Sequence, residues 1–302
     1  MKPFLSKIFL FLLVQSLIVI CMIGYLDNKF GLPFVSNSIS YNAKAKFLAE
    51  NRDLFEKSRI KVIGSSMSLN NIDCQMLSDS LKVPVINLAA WKMKLNDFSN
   101  FDIWKKGNVV IMNMHFTDFG RTSLIAKKGF PFEPGRLTNF TNILKDFKTY
   151  SDHIENYGDY SGKKIRNFYN SLYFDSTGTV VFTDHDQFIM DDHRWEYELN
   201  EFSEMNLRLF LNDVKAKAPL VDKLVICFTP SIVEKITTEK KQAIIEIEQA
   251  LRQIPNVLFI NNYGDSIFNK MDFVDYCHFS KSGTRKNTSI ILSRIRDMKI
   301  LE

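Results

Sequence analysis

The chain has 302 residues, of which 45% are hydrophobic and 24% charged. That length suits one large domain with an appendage, or two small domains, and the apolar share is enough for a sizeable core. The formal net charge is +5, from 39 basic and 34 acidic residues, and the basic residues are scattered, so the stripe that nucleic-acid binding needs is absent.

Ile8 to Leu26 carries no charged residue. At ~1.5 Å per residue such a helix nearly spans the ~30 Å of a bilayer core. Lys2 and Lys7 precede it, and Asp27 and Lys29 follow. The positive-inside rule then places the N-terminus in the cytoplasm and the rest outside. A cleaved signal peptide is the rival reading. Its apolar core is normally shorter, and the nearest A-x-A, Ala43-Lys44-Ala45, lies far downstream. Ile20 before Cys21 speaks against a lipoprotein, which needs a small residue there. Residues 1–29 are therefore expected to be a cytoplasmic tip and signal anchor, and residues 30–59 a stem ending in a helix, Ala43 to Lys57.

From Ile60 the pattern alternates. Strands are expected at Ile60–Ile63, Val83–Ala89 and Val109–Met114, with helices at Ile72–Leu81 and Phe98–Lys106 between them. The alternation stops over residues 119–203, a polar and aromatic stretch read as an insertion, with a strand-like piece at Thr179–Phe182. It resumes with a helix at Glu204–Lys217, a strand at Lys223–Phe228, a helix at Thr238–Ile254 stopped by Pro255, a strand at Val257–Ile260 and a helix at Lys281–Met298. Continuous apolar strands suit a parallel sheet covered on both faces. The expectation is a three-layer α/β domain over residues 60–302 with about five parallel strands.

Two short motifs carry the chemistry. Gly64-Ser65-Ser66 follows the first strand, and Asp275-Tyr276-Cys277-His278-Phe279-Ser280-Lys281-Ser282-Gly283 precedes the last helix. In a parallel α/β sheet, ligands bind at the carboxyl ends of strands. Serine there is a weak nucleophile until a base takes its proton. His278 is the expected base, and Asp275 would orient the imidazole and stabilise its charged form. Gly64 would let the chain turn sharply, and Gly283 would turn the loop into the last helix. Ser65 and Ser68 are rival nucleophiles, with Ser68 read as a helix cap. Either motif alone fits a plain cap and a surface histidine; their positions at the first strand and before the last helix raise the signal.

These blocks resemble the SGNH (GDSL-like) hydrolase superfamily. Gly64-Ser65-Ser66 is similar to its first block, with Ser65 in place of the usual Asp, and Asp275–Gly283 to its last. Asn87-Leu88-Ala89 stands where the second block has Asn-Leu-Gly, and Asn113-Met114-His115-Phe116-Thr117-Asp118 replaces the third block's Gly-x-Asn-Asp. The resemblance implies an oxyanion hole from the Ser66 and Ala89 N–H groups with Asn113 or His115. With the N-terminal anchor, the likeness is closer to membrane-anchored proteins of cell-envelope polysaccharide O-acetylation. It implies an extracytoplasmic serine-dependent O-acyl transferase or esterase, with a polysaccharide or glycan substrate and a membrane-bound O-acyltransferase as partner. Transfer and hydrolysis both stay open. So does a different class, a non-catalytic binding or assembly protein, to which the altered middle blocks point.

No cofactor or metal is expected. His185, Asp186, Asp191, Asp192 and His193 form a cluster in the insertion that reads as a polar rim before a metal site. Trp195 and Tyr197 would either stack on sugar rings or pack the insertion. Cys21, Cys74, Cys227 and Cys277 contain no C-x-x-C, which speaks against zinc and a disulfide framework, though one bridge among the outer three stays open. Cys227 reads as a small buried hydrophobe, and Cys277 as a packing residue before a reactive thiol.

Overall fold

The computed structural model of the protein describes residues 2–30, 39–91, 93–99, 101–115, 118, 174–180, 204–230, 238–263, 267–274 and 277–299. The chain divides into two compact units, Met1–Val35 with Pro134–Lys164, and Ser36–Glu133 with Ile165–Glu302.

The described part of the first unit is helix α1, Lys2–Phe30. Over Phe4–Met22 it is long and apolar enough to cross a membrane. Phe4, Phe9 and Phe11 are exposed on it. A helix apolar all round has no polar face to turn to water.

The second unit is an α/β domain. Helices α2 (Ile39–Glu50) and α3 (Arg52–Lys57) lead into strand β1 (Ile60–Ile63). Then follow α4 (Ser66–Asn70), α5 (Cys74–Leu81), β2 (Val85–Asn87) and β3 (Val109–Met114). After the long break come α6 (Glu204–Lys217), β4 (Lys223–Phe228), α7 (Thr238–Arg252), β5 (Val257–Asn261) and α8 (Lys281–Asp297). The sheet has five strands in the order β2-β1-β3-β4-β5, and every pairing is parallel. The expected α/β class and strand number are therefore found.

The strand pattern explains the layers. β1, β2 and β3 are buried along their whole length, as strands covered on both faces must be. On one face Ile60, Val62, Val85, Val109, Ile111, Val225 and Cys227 pack with Cys74 and Leu77 of α5 and Ile291, Leu292 and Ile295 of α8. The opposite face carries Ile63, Val110, Met112, Leu224 and Ile226, all buried. The order reverses at β1, since β2 lies on one side of it and β3 on the other. That makes the carboxyl ends of β1 and β3 the switch point, where such sheets open a crevice.

Three expectations need correction. Residues 39–57 are not a stem. Tyr41, Leu48 and Phe55 are buried in the second unit. The fully buried Lys44 ammonium donates to the carbonyls of Asn87 at 3.0 Å and of Gly178, and sits 3.8 Å from the Phe174 ring centre. Apolar residues and an anchored lysine tie this segment to the end of β2. Second, Phe98–Lys106 is not a helix. A short 3-10 turn covers Leu95–Phe98, and the chain then follows side-chain bonds, Trp104 Nε1 to the Phe98 carbonyl at 2.7 Å and Asn108 Nδ2 to the Ile103 carbonyl at 2.8 Å. Buried Phe98 and Phe101 have helical spacing but pack as a turn. Third, Val83–Ala89 contributes a shorter strand, Val85–Asn87.

Of residues 119–203, the described part is 174–180. It forms a tight turn closed by an antiparallel bridge between Phe174 and Val180. The turn covers the sheet edge, because the Asn87 N–H donates to the Thr177 carbonyl at 2.8 Å. Pairing an edge strand removes its open ladder. The insertion's His185, Asp186, Asp191, Asp192, His193, Trp195 and Tyr197 lie outside the described residues.

Candidate active site

β1 ends at Ile63 and the chain turns at Gly64, whose φ of +123° strains any residue with a side chain. A Cβ there would also stand 2.6 Å from Ser68 Oγ. The turn leads directly into α4. Its cap is Ser65, whose Oγ accepts the Met67 N–H at 3.3 Å. Ser68, expected as a cap, lies inside the helix and is buried. Its hydroxyl bonds the backbone of Asn113 in β3. Both rival serines are thus committed to the structure.

Ser66 opens α4 and is half-buried. His278, also half-buried, places Nε2 at 2.9 Å from Ser66 Oγ. This contact joins residues 212 positions apart in sequence. With Nδ1 protonated, Nε2 accepts the serine proton. Cys277 is buried, with Sγ 3.6 Å from His278 Nδ1. Asp275 and Tyr276 lie outside the described residues.

The backbone around His278 is fixed on two sides. The Val274 N–H donates to the His278 carbonyl at 2.9 Å. On the other side, the side chain of Asn71 donates to the Cys277 carbonyl at 3.0 Å and accepts the Phe279 N–H at 2.9 Å. Asn71 caps the carboxyl end of α4 and is fully buried. Its own carbonyl accepts from Asn287 Nδ2 at 2.8 Å, and Asn287 Oδ1 accepts from Asn262 Nδ2 at 3.0 Å. The sequence reading passed over Asn71. The signal available was an asparagine just past a short serine-led segment, where an amide often closes a helix.

Ser280 caps α8 by accepting the Gly283 N–H, and α8 carries Gly283 inside its first turn. Gly283 is therefore not the turn it was read as. It is required by closeness, because a Cβ would fall 2.0 Å from the Asp272 carbonyl oxygen. Asp272 itself is buried and accepts from Lys286 Nζ at 2.6 Å, Ser282 Oγ at 2.9 Å and the Asn269 N–H at 3.0 Å. Burial opposes its charge, but these bonds outweigh burial and hold its carboxyl below the usual carboxylate range.

The expected oxyanion donors divide. Ser66 stands at the amino end of α4, where backbone N–H groups lack helical acceptors. Ala89 is fully buried, and its N–H is donated to Asn87 Oδ1 at 3.0 Å. Asn113 is fully buried beneath α4, with Nδ2 donating to the Met67 carbonyl at 3.1 Å. His115 is fully buried at the end of β3, with its N–H on Asp118 Oδ2 at 2.9 Å. Of the four, Ser66 is half-buried, and Ala89, Asn113 and His115 are fully buried.

No family model and no curated protein matches the chain. Solved structures that align with it include a family two carbohydrate esterase from Clostridium thermocellum in complex with cellohexaose, at 11% identity and TM-score 0.38, covering 81% of this chain and 66% of that one. An active-site mutant of a family two carbohydrate esterase from the same organism aligns at 11% identity and TM-score 0.36, covering 80% and 64%. A carbohydrate esterase whose active site displays divergent catalytic and non-catalytic binding functions aligns at 8% identity and TM-score 0.33, covering 80% and 68%. The chain thus spans just under two thirds of the length of the first two.

Proposed function

We propose that the protein is a serine-dependent O-acyl transferase or esterase, held in a membrane by α1 with its α/β domain outside the cytoplasm, acting on a cell-envelope or exported polysaccharide. The observation that carries the chemistry is the 2.9 Å contact between Ser66 Oγ and His278 Nε2 at the switch point of the sheet. The motif resemblance supplies the acyl and glycan class, and the charge-free run after Lys2 and Lys7 supports the anchor and its orientation.

In this reading Ser66 Oγ attacks the ester carbonyl carbon while its proton passes to His278 Nε2. The carbonyl oxygen takes the negative charge and is met by the Ser66 N–H. As the C–O bond to the donor breaks, the leaving alkoxide takes the proton from His278. A water or a sugar hydroxyl then loses its proton to His278 and attacks the acyl-serine; as the bond from the acyl carbon to Ser66 Oγ breaks, His278 returns the proton to Ser66. Asp275 is proposed to orient the imidazole. An acyl group delivered by a membrane-bound O-acyltransferase would enter at the first step.

A second reading, a non-catalytic glycan-binding or assembly protein, is favoured by the committed N–H of Ala89 and the buried amide of Asn113. Fluorophosphonate labelling of the full chain in detergent separates the two. Ser66 Oγ would form a bond to phosphorus as fluoride leaves, its proton passing to His278. Labelling abolished by Ser66→Ala and by His278→Ala supports the enzyme. A folded, unlabelled wild type supports the binding protein.

A further inference from the structure

We infer that Asn71 is the positioning residue of the Ser66–His278 pair; this rests on the reading of that pair as catalytic. Asparagine presents an acceptor and a donor from one planar group. Asn71 uses them on the residues flanking His278, the carbonyl of Cys277 and the N–H of Phe279. A neighbouring strand bonds a residue in the same way, taking the carbonyl before it and the N–H after it. The side chain of Asn71 thus acts as a one-residue strand, laid along the loop opposite Val274, which bonds the carbonyl of His278.

The consequence is a shared reference. Ser66 begins α4 and Asn71 caps its other end. The nucleophile is set by the first turn of that helix, and the base is hung from the residue that caps its far end. Asn71 is itself fixed, because its carbonyl is held by Asn287 on α8, which in turn is held by Asn262 beyond β5. Asn71, Asn287 and Asn262 are all buried, and buried amide networks of this kind specify geometry when their members are satisfied. With the backbone of His278 gripped from both sides, the remaining freedom of the imidazole is its two side-chain torsions. A serine–histidine contact depends steeply on position, and a misplacement of about 1 Å can cost ~100-fold in rate.

The test uses the full chain in detergent, with Asn71→Ala and Asn71→Asp beside Ser66→Ala and His278→Ala. Two readouts are taken. One is the rate of fluorophosphonate labelling across pH. The other is the nitrogen resonances of histidine-labelled protein; the chain has 5 histidines, and His278 is assigned by its loss in His278→Ala. Wild type is expected to show one His278 tautomer, protonated at Nδ1. Asn71→Ala should label at least ~10-fold more slowly, with a shifted pH profile and a mixed or displaced His278 signal. Asn71→Asp has the same size and keeps the acceptor for Phe279, so it serves where the alanine variant fails to fold, and it should show the same changes through loss of the donor to Cys277. Unchanged labelling with an unchanged His278 signal overturns the inference. Slower labelling with an unchanged His278 signal overturns it too, because the loss would then act through Ser66 or the fold. If wild type is not labelled but the Asn71 variants still displace the His278 signal, the positioning role stands and the enzyme reading falls.

Discussion

The Ser68 hydroxyl closes both backbone groups of Asn113, accepting its N–H at 2.7 Å and donating to its carbonyl at 3.0 Å. β1 pairs with β3 as far as Ile63 opposite Met112, and one residue further along β3 it has turned away. A side chain of α4 therefore continues the ladder that the strand abandons. Ser68→Ala leaves two buried polar groups unpaired, at a cost of about 2–4 kcal/mol. Urea unfolding should show that loss, while fluorophosphonate labelling per folded molecule should persist. Labelling that disappears in folded Ser68→Ala would instead give Ser68 the nucleophile's role.

Gly283 makes a second close approach, between α8 and the backbone of Asp272. Gly283→Ala forces a methyl group against a carbonyl that cannot swing aside, and overpacking of this kind costs ~1–3 kcal/mol or more. Because His278 lies between these two elements, labelling should fall together with the melting temperature. A variant that melts within a few degrees of wild type would show that α8 can shift freely.

Asp272 ties the same loop to α8 through Lys286. Its folded pKa is depressed below the ordinary 3.8. The stability it contributes is therefore fully present above the unfolded value and is lost as pH falls through the folded one. Asp272→Asn should destabilise by about 1–3 kcal/mol at pH 7, and the gap from wild type should narrow in acid, below the usual carboxylate range. Denaturant titrations at neutral and acid pH would measure both. A gap that is constant with pH would mean that the carboxylate's charge is not what holds the loop.

Lys44 runs the opposite way. Burial pushes its ammonium from 10.5 down to about 7, against the weaker pull of Cys74 and Asp175. Between those two values the unfolded chain holds a proton that the folded chain lacks, so this residue's contribution to stability rises with pH across that window. Relative to Lys44→Met, wild type should gain melting temperature from about pH 7 toward pH 10. Parallel curves for the two proteins would mean that the carbonyls of Asn87 and Gly178 and the Phe174 ring keep the ammonium charged after all.

Much of the domain was legible because its signals are local. Val109–Met114 and Lys223–Phe228 are largely apolar runs, interrupted only by Asn113 and opened by Lys223, and each is a strand with the expected bounds. Gly64 and Ser66 announced a turn into a helix, and His278 announced a partner. Phe98–Lys106 failed for a related reason. Buried phenylalanines at helical spacing look alike whether the backbone is a helix or a turn closed by Trp104 and Asn108. The segment 39–57 failed because nothing in its composition says that Lys44 is anchored on carbonyls contributed by the end of β2 and by the distant turn at 174–180.

The sequence by itself determined the parallel α/β class and the apolar N-terminal helix, and it singled out Ser66 and His278 as candidates, since periodicity and turn chemistry act over a few residues. The tertiary structure alone decided that these two side chains meet at 2.9 Å, that Ser65 and Ser68 are spent on a cap and on Asn113, that the N–H of Ala89 is already taken, and that Asn71 grips the histidine loop. Those outcomes depend on where buried donors and acceptors find partners; for Ser66, Ser68 and Asn71 the partners lie 45 to 212 residues away, whereas Ser65 and Ala89 bond residues two positions away in a backbone geometry that the fold sets.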